Sequence, residues 1–484
     1  MDQDHKPPNR SRFSTLPIEI RQAILCAMPD LLTFHLALET FKSLRQAFLA
    51  NHSSICNSFI PSVFPSRVLP DLLALSESTQ FNPWRKERRR SDDPWNEERV
   101  ADLMRRHYGQ PLPRDIQWTY ADIARISGIQ EHINFFIDDF ASTANSARPN
   151  GDGNQPQPLT RNERSRIEVA FFRFELYCNL FRQRGVYTSG GRETHERIEE
   201  GHWKLFFDFF SPWENEQLAC VHDYLADKVV VPFDDVSDHD IYWGEESISC
   251  HEDTCLDAEL YIQSLLSKGL AVLHRLVAAS TYEERHKLLG IIPSSDWDFL
   301  SSGMIGDPRE LSYGQYRPYS MFGQDEREAL QSKTSTQDPD RGPCHAWFWA
   351  HESYNGESGF YNRDHELLRK MGYVMWDDWR LEHWGILEKP FDEKDYPAPD
   401  KSLSEERIKE FKESCQRRSE IWRRGGLGWW SKDDESKIEW PKDRKPDVIR
   451  AWFEEGAEKS TWPRGMPRGP HFGPGGTIIR DRRL

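Results

Sequence analysis

Arg166-Ile-Glu-Val-Ala-Phe-Phe-Arg-Phe-Glu-Leu-Tyr-Cys-Asn-Leu-Phe181 decides the fold class. Its residues Ile167, Phe171, Phe174, Cys178 and Phe181 recur at intervals of four and three, which lines one face of an α-helix and fits no strand. The segment 214–230 repeats the pattern with Leu218, Val221, Leu225 and Val229. Segment 256–279 carries Leu260, Leu265, Leu266, Leu270, Leu273, Leu276 and Val277, and reads as one central buried helix. Thr281 with Glu284 makes a capping-box signature for a short helix through Leu289, ended by Gly290. Ser402 with Glu405 repeats it before Ile408, Phe411, Cys415 and Trp422, and Gly425 is the expected stop. Strand signals are confined to short runs such as Val229–Phe233, and none is paired with another across an Asn-Gly turn. No period of 20–50 residues recurs.

The expected fold class is therefore mainly α, with a small N-terminal helical unit and a large irregular helical body with long loops. At 484 residues with 37% apolar and 12% aromatic residues, the chain is long enough to bury one large core or two ordinary ones. Thirty Pro and 29 Gly break that body into many short elements. Its organisation reads as a disordered tail 1–12, a helical unit 13–51 and a helical connector 52–141. A flexible linker 142–162, a Trp-rich helical body 163–462 and a Gly/Pro-rich tail 463–484 follow.

Charge sets the classes of partner. The chain holds 63 Lys/Arg against 79 Asp/Glu, a net −16, which disfavours general binding of nucleic acid or of an anionic membrane. Segment 191–260 alone carries 19 Asp/Glu against four Lys/Arg. Its run Asp234, Asp235, Asp238, Asp240, Glu245 and Glu246 lacks EF-hand spacing and reads as a solvated negative face suited to steering a basic partner. The eight cysteines are scattered among apolar surroundings, as reduced core thiols are, and imply a reducing compartment. No signal peptide or membrane anchor is expected, since the first 12 residues are polar and no apolar run approaches 18–20 residues.

The N-terminal stretch Phe13-Ser-Thr-Leu-Pro-Ile-Glu-Ile20 opens the most specific pattern. Pro17 suits a first helical turn, and Glu19 suits the positive end of the helix dipole. Ile20, Ala23, Ile24, Ala27 and Met28 form an apolar stripe with Leu25 beside it, and Pro29-Asp30 breaks the helix. A second helix through Leu31, Phe34 and Leu38 and a third through Leu44, Ala47 and Phe48 end near Asn51. This succession resembles the F-box, in the divergent form common in fungal proteins. The resemblance implies that the unit docks on the Skp adaptor of a cullin-type ubiquitin ligase, while the remaining chain recruits a protein substrate. The residues matching the family's adaptor-facing positions are Leu16, Pro17, Ile20, Ile24, Leu25, Met28 and Leu31. The family's Trp-containing ending of the third helix is replaced here by Thr40-Phe-Lys-Ser-Leu44-Arg.

Such an adaptor is cytoplasmic, and Arg85-Lys-Glu-Arg-Arg-Arg90 resembles a nuclear-localisation cluster, although Asp92, Asp93, Glu97 and Glu98 neutralise it. No catalytic, cofactor-binding or metal-ligating residue is assigned. Phosphate-loop, nucleophile-elbow and His-Glu-x-x-His patterns are all missing from the sequence. The alternatives are a metal-assisted hydrolase built on 191–260, with Cys250, His251, Cys255, His222 and His239 as available ligand types, and a helical scaffold without adaptor binding. Eleven of the 18 tryptophans lie between Trp347 and Trp462, most as core, with Trp429-Trp430 placed to line a recognition groove.

Overall fold

The computed structural model describes residues 15–81, 97–113, 116–148, 157–181, 205–246, 256–289, 299–300, 304, 323–326, 328, 338–352, 365–396 and 405–442, with 471–472 and 478–479. The protein is mainly α. Helices α1 (Ile18–Cys26), α2 (Leu31–Thr40), α3 (Lys42–Ala50) and α4 (His52–Val63) follow one another with almost no connecting chain. Pro17 sits at the N-cap of α1, and Asp30 caps α2 by accepting the Thr33 N–H at 2.7 Å. Helices α5 (Leu69–Ser78), α6 (Glu97–Tyr108) and α7 (Tyr120–Ser146) complete the N-terminal third. A reciprocal Thr119/Asp122 capping box opens α7. Because α7 continues to Ser146 and α8 begins at Arg161, residues 142–146 and 161–162 are helical where composition predicts a linker. Polar residues there cover the outer face of a helix whose inner face carries Phe136, Ile137, Phe140 and Ala144.

The quoted stretch falls in α8 (Arg161–Phe181), whose stripe is fully buried. It packs on α5 and on α9 (Pro212–Ser237). A Ser211/Glu214 capping box and Pro212 start α9. The β-branched run at 229–233 is part of that helix, contrary to its strand-like reading. Val229 and Phe233 reach the core one helical turn apart, and this burial overrides intrinsic preference. Helix α10 (Ile241–Glu246) follows. The segment predicted as one helix over 256–279 is two, α11 (Leu256–Leu266) and α12 (Leu270–Ala278), broken at Gly269, whose φ of 85° lies in the left-handed region. In α13 (Tyr282–Leu289) the Glu284 N–H donates to Thr281 Oγ1, as the capping signature requires, but the Glu284 carboxylate accepts from the Ser280 N–H.

Helices α14 (Gly342–His351), α15 (Glu366–Lys370), α16 (Asp378–His383) and α17 (Glu405–Arg423) form the C-terminal part. Gly425, at φ 96°, stops α17 in a Schellman motif, with Gly426 N–H donating to Ile421 O and Gly425 N–H to Trp422 O. A two-stranded antiparallel ladder, β1 (Leu427–Gly428) with β2 (Ile438–Glu439), follows it, and β3 (His471–Phe472) pairs with β4 (Ile478–Ile479). Of the proposed capping pair for α17, Ser402 lies outside the described residues.

One hydrophobic cluster runs through the described residues from Leu25 to Trp430. Buried ion pairs join segments remote in sequence. Arg173 of α8 lies 2.9 Å from both Asp71 of α5 and Glu214 of α9, with its guanidinium 4.1 Å from the centre of the Phe210 ring. Arg166 of α8 reaches Asp338 at 2.6 Å and Asp377 at 2.7 Å, and Arg380 pairs with Glu163 at 2.6 Å. Each charge is compensated within hydrogen-bonding distance, as burial demands.

Candidate functional site

The N-terminal unit is built with one helix reversed in sense. In α1 the inward positions are Arg21, Gln22 and Leu25. Arg21 Nη1 donates to Ser43 O at 2.9 Å, Gln22 Nε2 donates to Ala47 O at 3.0 Å, and Leu25 is completely buried. Hydrogen bonds to α3 carbonyls thus do much of the work that an apolar stripe does in an ordinary surface helix. Most of the apolar stripe turns outward, with Ile20 48% exposed, Ala23 and Ala27 exposed and Ile24 half-buried, while Met28 at its end packs against the core.

Leu32 and Leu36, one turn apart on α2, and Leu49 on α3 are exposed as well. With Ile18 and Ile20 they make up half of the exposed large apolar side chains among the described residues, gathered within 32 residues. Tyr120 at the start of α7 borders them, its hydroxyl 3.4 Å from His35 Nδ1 and its ring 5.3 Å from that of Phe48.

The residues singled out by the F-box resemblance divide accordingly. Pro17 and Ile20 are exposed, Leu16, Ile24 and Met28 are half-buried, and Leu25 and Leu31 lie in the chain's own core. The last two pack into the cluster formed by the chain's own buried residues. The exposure of Leu32, Leu36 and Leu49 had no signal in the sequence, because spacing alone does not say which apolar positions of a short helix face inward. Behind the patch the unit is joined to the body, with Phe34 stacked on Phe59 of α4 at 4.2 Å and α2 packed on α7.

The described residues of the acidic segment do not converge on one centre. Asp240 departs from a solvated face: it is buried, its Oδ1 accepts the Trp243 N–H, and its Oδ2 accepts from Tyr282 Oη at 2.6 Å and lies 3.2 Å from His286 Nε2. That pairing with Asp240 raises the His286 pKa. Asp235 pairs with Arg285 at 2.9 Å. Both ring nitrogens of His222 are engaged, with Asp223 at 2.9 Å and with the Gln263 amide, while His239 Nδ1 donates to Trp430 O at 3.1 Å. Among the described residues no group of three or more His, Cys, Asp or Glu is arranged to hold a metal. Cys250, His251 and Cys255 lie outside the described residues, as does the basic cluster 85–90. The six described cysteines are free thiols, five of them buried, and burial pushes Cys56 up to about 11.

A second titratable cluster lies inside the body. Glu216 and Asp223 of α9 face Arg369 of α15, with Arg369 Nε 2.5 Å from Asp223 and Nη1 3.6 Å from Glu216. Burial pushes the Glu216 carboxyl up to about 7 despite Arg369. Burial acts the same way on Asp223, but Arg369 and His222 outweigh it and hold that carboxyl below the usual range. Burial lowers His351 to about 4 and His365 to about 2, so both rings are neutral at pH 7. None of these side chains is accessible enough to meet a substrate.

No protein-family model, curated protein or solved structure matches the chain. Its role therefore has to be argued from this geometry. Among the described residues no helix is long and apolar enough to cross a membrane.

Proposed function

We propose that the chain is an F-box-like adaptor. Its N-terminal helices dock on the Skp adaptor of a cullin-type ubiquitin ligase, and its helical body presents a protein substrate. The large apolar side chains left exposed on the first three helices, Ile18 and Ile20 on α1, Leu32 and Leu36 on α2 and Leu49 on α3, are the observation that supports this reading. Apolar side chains left in water are candidates for interaction surfaces, and helical apolar faces are buried readily in a partner's groove. Bond chemistry belongs to other subunits in this scheme. The chain's contribution is to raise the effective concentration of a substrate lysine near a charged ubiquitin-conjugating enzyme.

The test is association of the purified full chain with the Skp adaptor, comparing wild type with Ile20→Glu/Leu36→Glu. Both side chains are about half exposed, so the variant keeps its fold, checked by circular dichroism. Binding by wild type and its loss in the variant is the expected result. Absence of binding by folded wild type, or equal binding by both, overturns the proposal.

The scaffold reading has one observation in its favour. Phe34 and Phe48 are core residues shared with α4 and α7, so the unit is a structural part of the body as well as a candidate docking module.

A further inference from the structure

We propose that the cleft between α17 and the chain segment that follows β1 binds a basic peptide segment, seating a Lys or Arg side chain. The inference deepens the adaptor reading by naming the chemistry of the substrate it presents, and it rests on that reading only for its biological purpose. The cleft has a volume of about 460 Å³, within the roughly 300–1,000 Å³ of ligand clefts.

Its lining includes two aromatic residues, Phe411 on α17 and Trp430 beyond β1. Trp430 is fixed on three sides: its N–H donates to His239 O at 2.9 Å, its carbonyl accepts from His239, and its indole Nε1 lies 3.3 Å from Glu435. The walls carry Asp238 from the end of α9 and Glu410 and Glu413 from α17. Glu410 and Glu413 are exposed, and Lys409 approaches Glu413 only to 3.9 Å.

Two cations also line the cleft. Arg417 is committed to Glu435 at 2.9 Å and Glu420 at 3.3 Å, which neutralises it locally, and Lys432 is exposed at the rim. With Arg417 so committed, the exposed Glu410 and Glu413 outweigh Lys432 along the cleft. A cation gains there from the carboxylates, whereas an anion meets repulsion.

The same segment already sets cations over its own indole rings. Lys437 Nζ sits 4.1 Å from the centre of the Trp429 ring, and the Arg424 guanidinium 5.5 Å from that of Trp440. Among the described residues no such cation covers Trp430. The acid-rich segment containing Asp238 provides long-range attraction for a basic chain, and the cleft provides a seat for its side chain.

The test measures fluorescence anisotropy of fluorescein-labelled Gly-Ser-Arg-Gly-Lys-Arg-Ser-Gly against the full chain. The controls are the same peptide with every cation replaced by Gln, and with every cation replaced by Glu. Saturable binding of the basic peptide alone is expected. Glu410→Gln/Glu413→Gln removes two exposed charges and should weaken it roughly 2- to 30-fold. Glu97→Gln/Glu98→Gln, the same charge change on exposed positions of α6, should leave it unchanged.

No saturable binding, equal binding of the Gln peptide, or equal weakening by the two double variants overturns the proposal. Concentration-dependent self-association that is lost on Glu410→Gln/Glu413→Gln would assign the cleft to a second copy instead and overturn it too. The assay contains no Skp adaptor, so its failure leaves the docking proposal standing, and failed docking leaves peptide binding standing.

Discussion

Glu216 offers a sharp test of how the body is held together. In the folded chain its carboxyl lies near pH 7 because burial raises it by more than Arg369, 3.6 Å away, lowers it. An unfolded Glu titrates at about 4.3–4.5. A carboxyl raised in the folded state contributes stability below its unfolded pKa, and that contribution is lost as pH rises through the folded value. Between pH 5 and pH 8 the loss works out at about 2.5 kcal/mol.

Glu216→Gln keeps the shape and cannot ionise, so it removes this slope and no other. An unfolding entropy of about 1 kcal/mol per kelvin for a chain of this size converts the loss to about 2.5 °C. The assay is thermal unfolding by circular dichroism of both proteins at half-unit steps of pH. The wild-type Tm should fall relative to the variant by about 2.5 °C from pH 5 to pH 8. A difference flat to within about 0.5 °C would refute the burial argument, since a carboxyl unmoved by folding has no such slope.

Arg173→Met leaves Asp71 and Glu214 buried without their cation and should cost about 3–5 kcal/mol, read as a Tm about 3–5 °C lower at pH 8. Leu25→Ala empties a fully buried site and should cost about 2–5 kcal/mol, whereas Ile20→Ser, on the outward stripe, should change stability by no more than about 0.5 kcal/mol. Urea unfolding midpoints separate the two outcomes. His286, its pKa raised by Asp240, should stabilise the fold below pH 6.5 and lose that contribution as pH rises through its folded value, and His286→Gln should abolish the change.

Helical periodicity was sufficient to place α1–α3, α8 and α9, because each repeats apolar residues at spacings only a helix aligns. The Gly425 stop was legible for a related reason, since the backbone there needs a positive φ. Much of the buried charge was not legible. Arg166, Arg173 and Glu214 occupy positions that a period-3.6 reading gives to solvent, and partners such as Asp377 lie far along the chain. The break at Gly269 was hidden because Leu residues on both sides keep the helical rhythm.

Helix α1 was legible only in part. Its period was legible, but the inward role of Arg21 and Gln22, which satisfy α3 carbonyls, was not. Trp429-Trp430 were picked out as groove residues from an aromatic pair following glycines. Trp430 does line the cleft, while the Trp429 ring packs at a tilt against His239 beside it.

Arg166 also sets the order of events during synthesis. Its partner Asp377 is 211 residues downstream. At about 5–20 residues per second a ribosome needs roughly 10–40 s to deliver it. Its other acidic partners, Asp338 and Asp340, are downstream as well, so the nascent α8 carries Arg166 with none of these counter-charges until Asp338 is made and without Asp377 for the rest of the interval. Chaperones that hold hydrophobic nascent helices have that long to act, and a stop codon anywhere before Asp377 would release a chain unable to close its own centre.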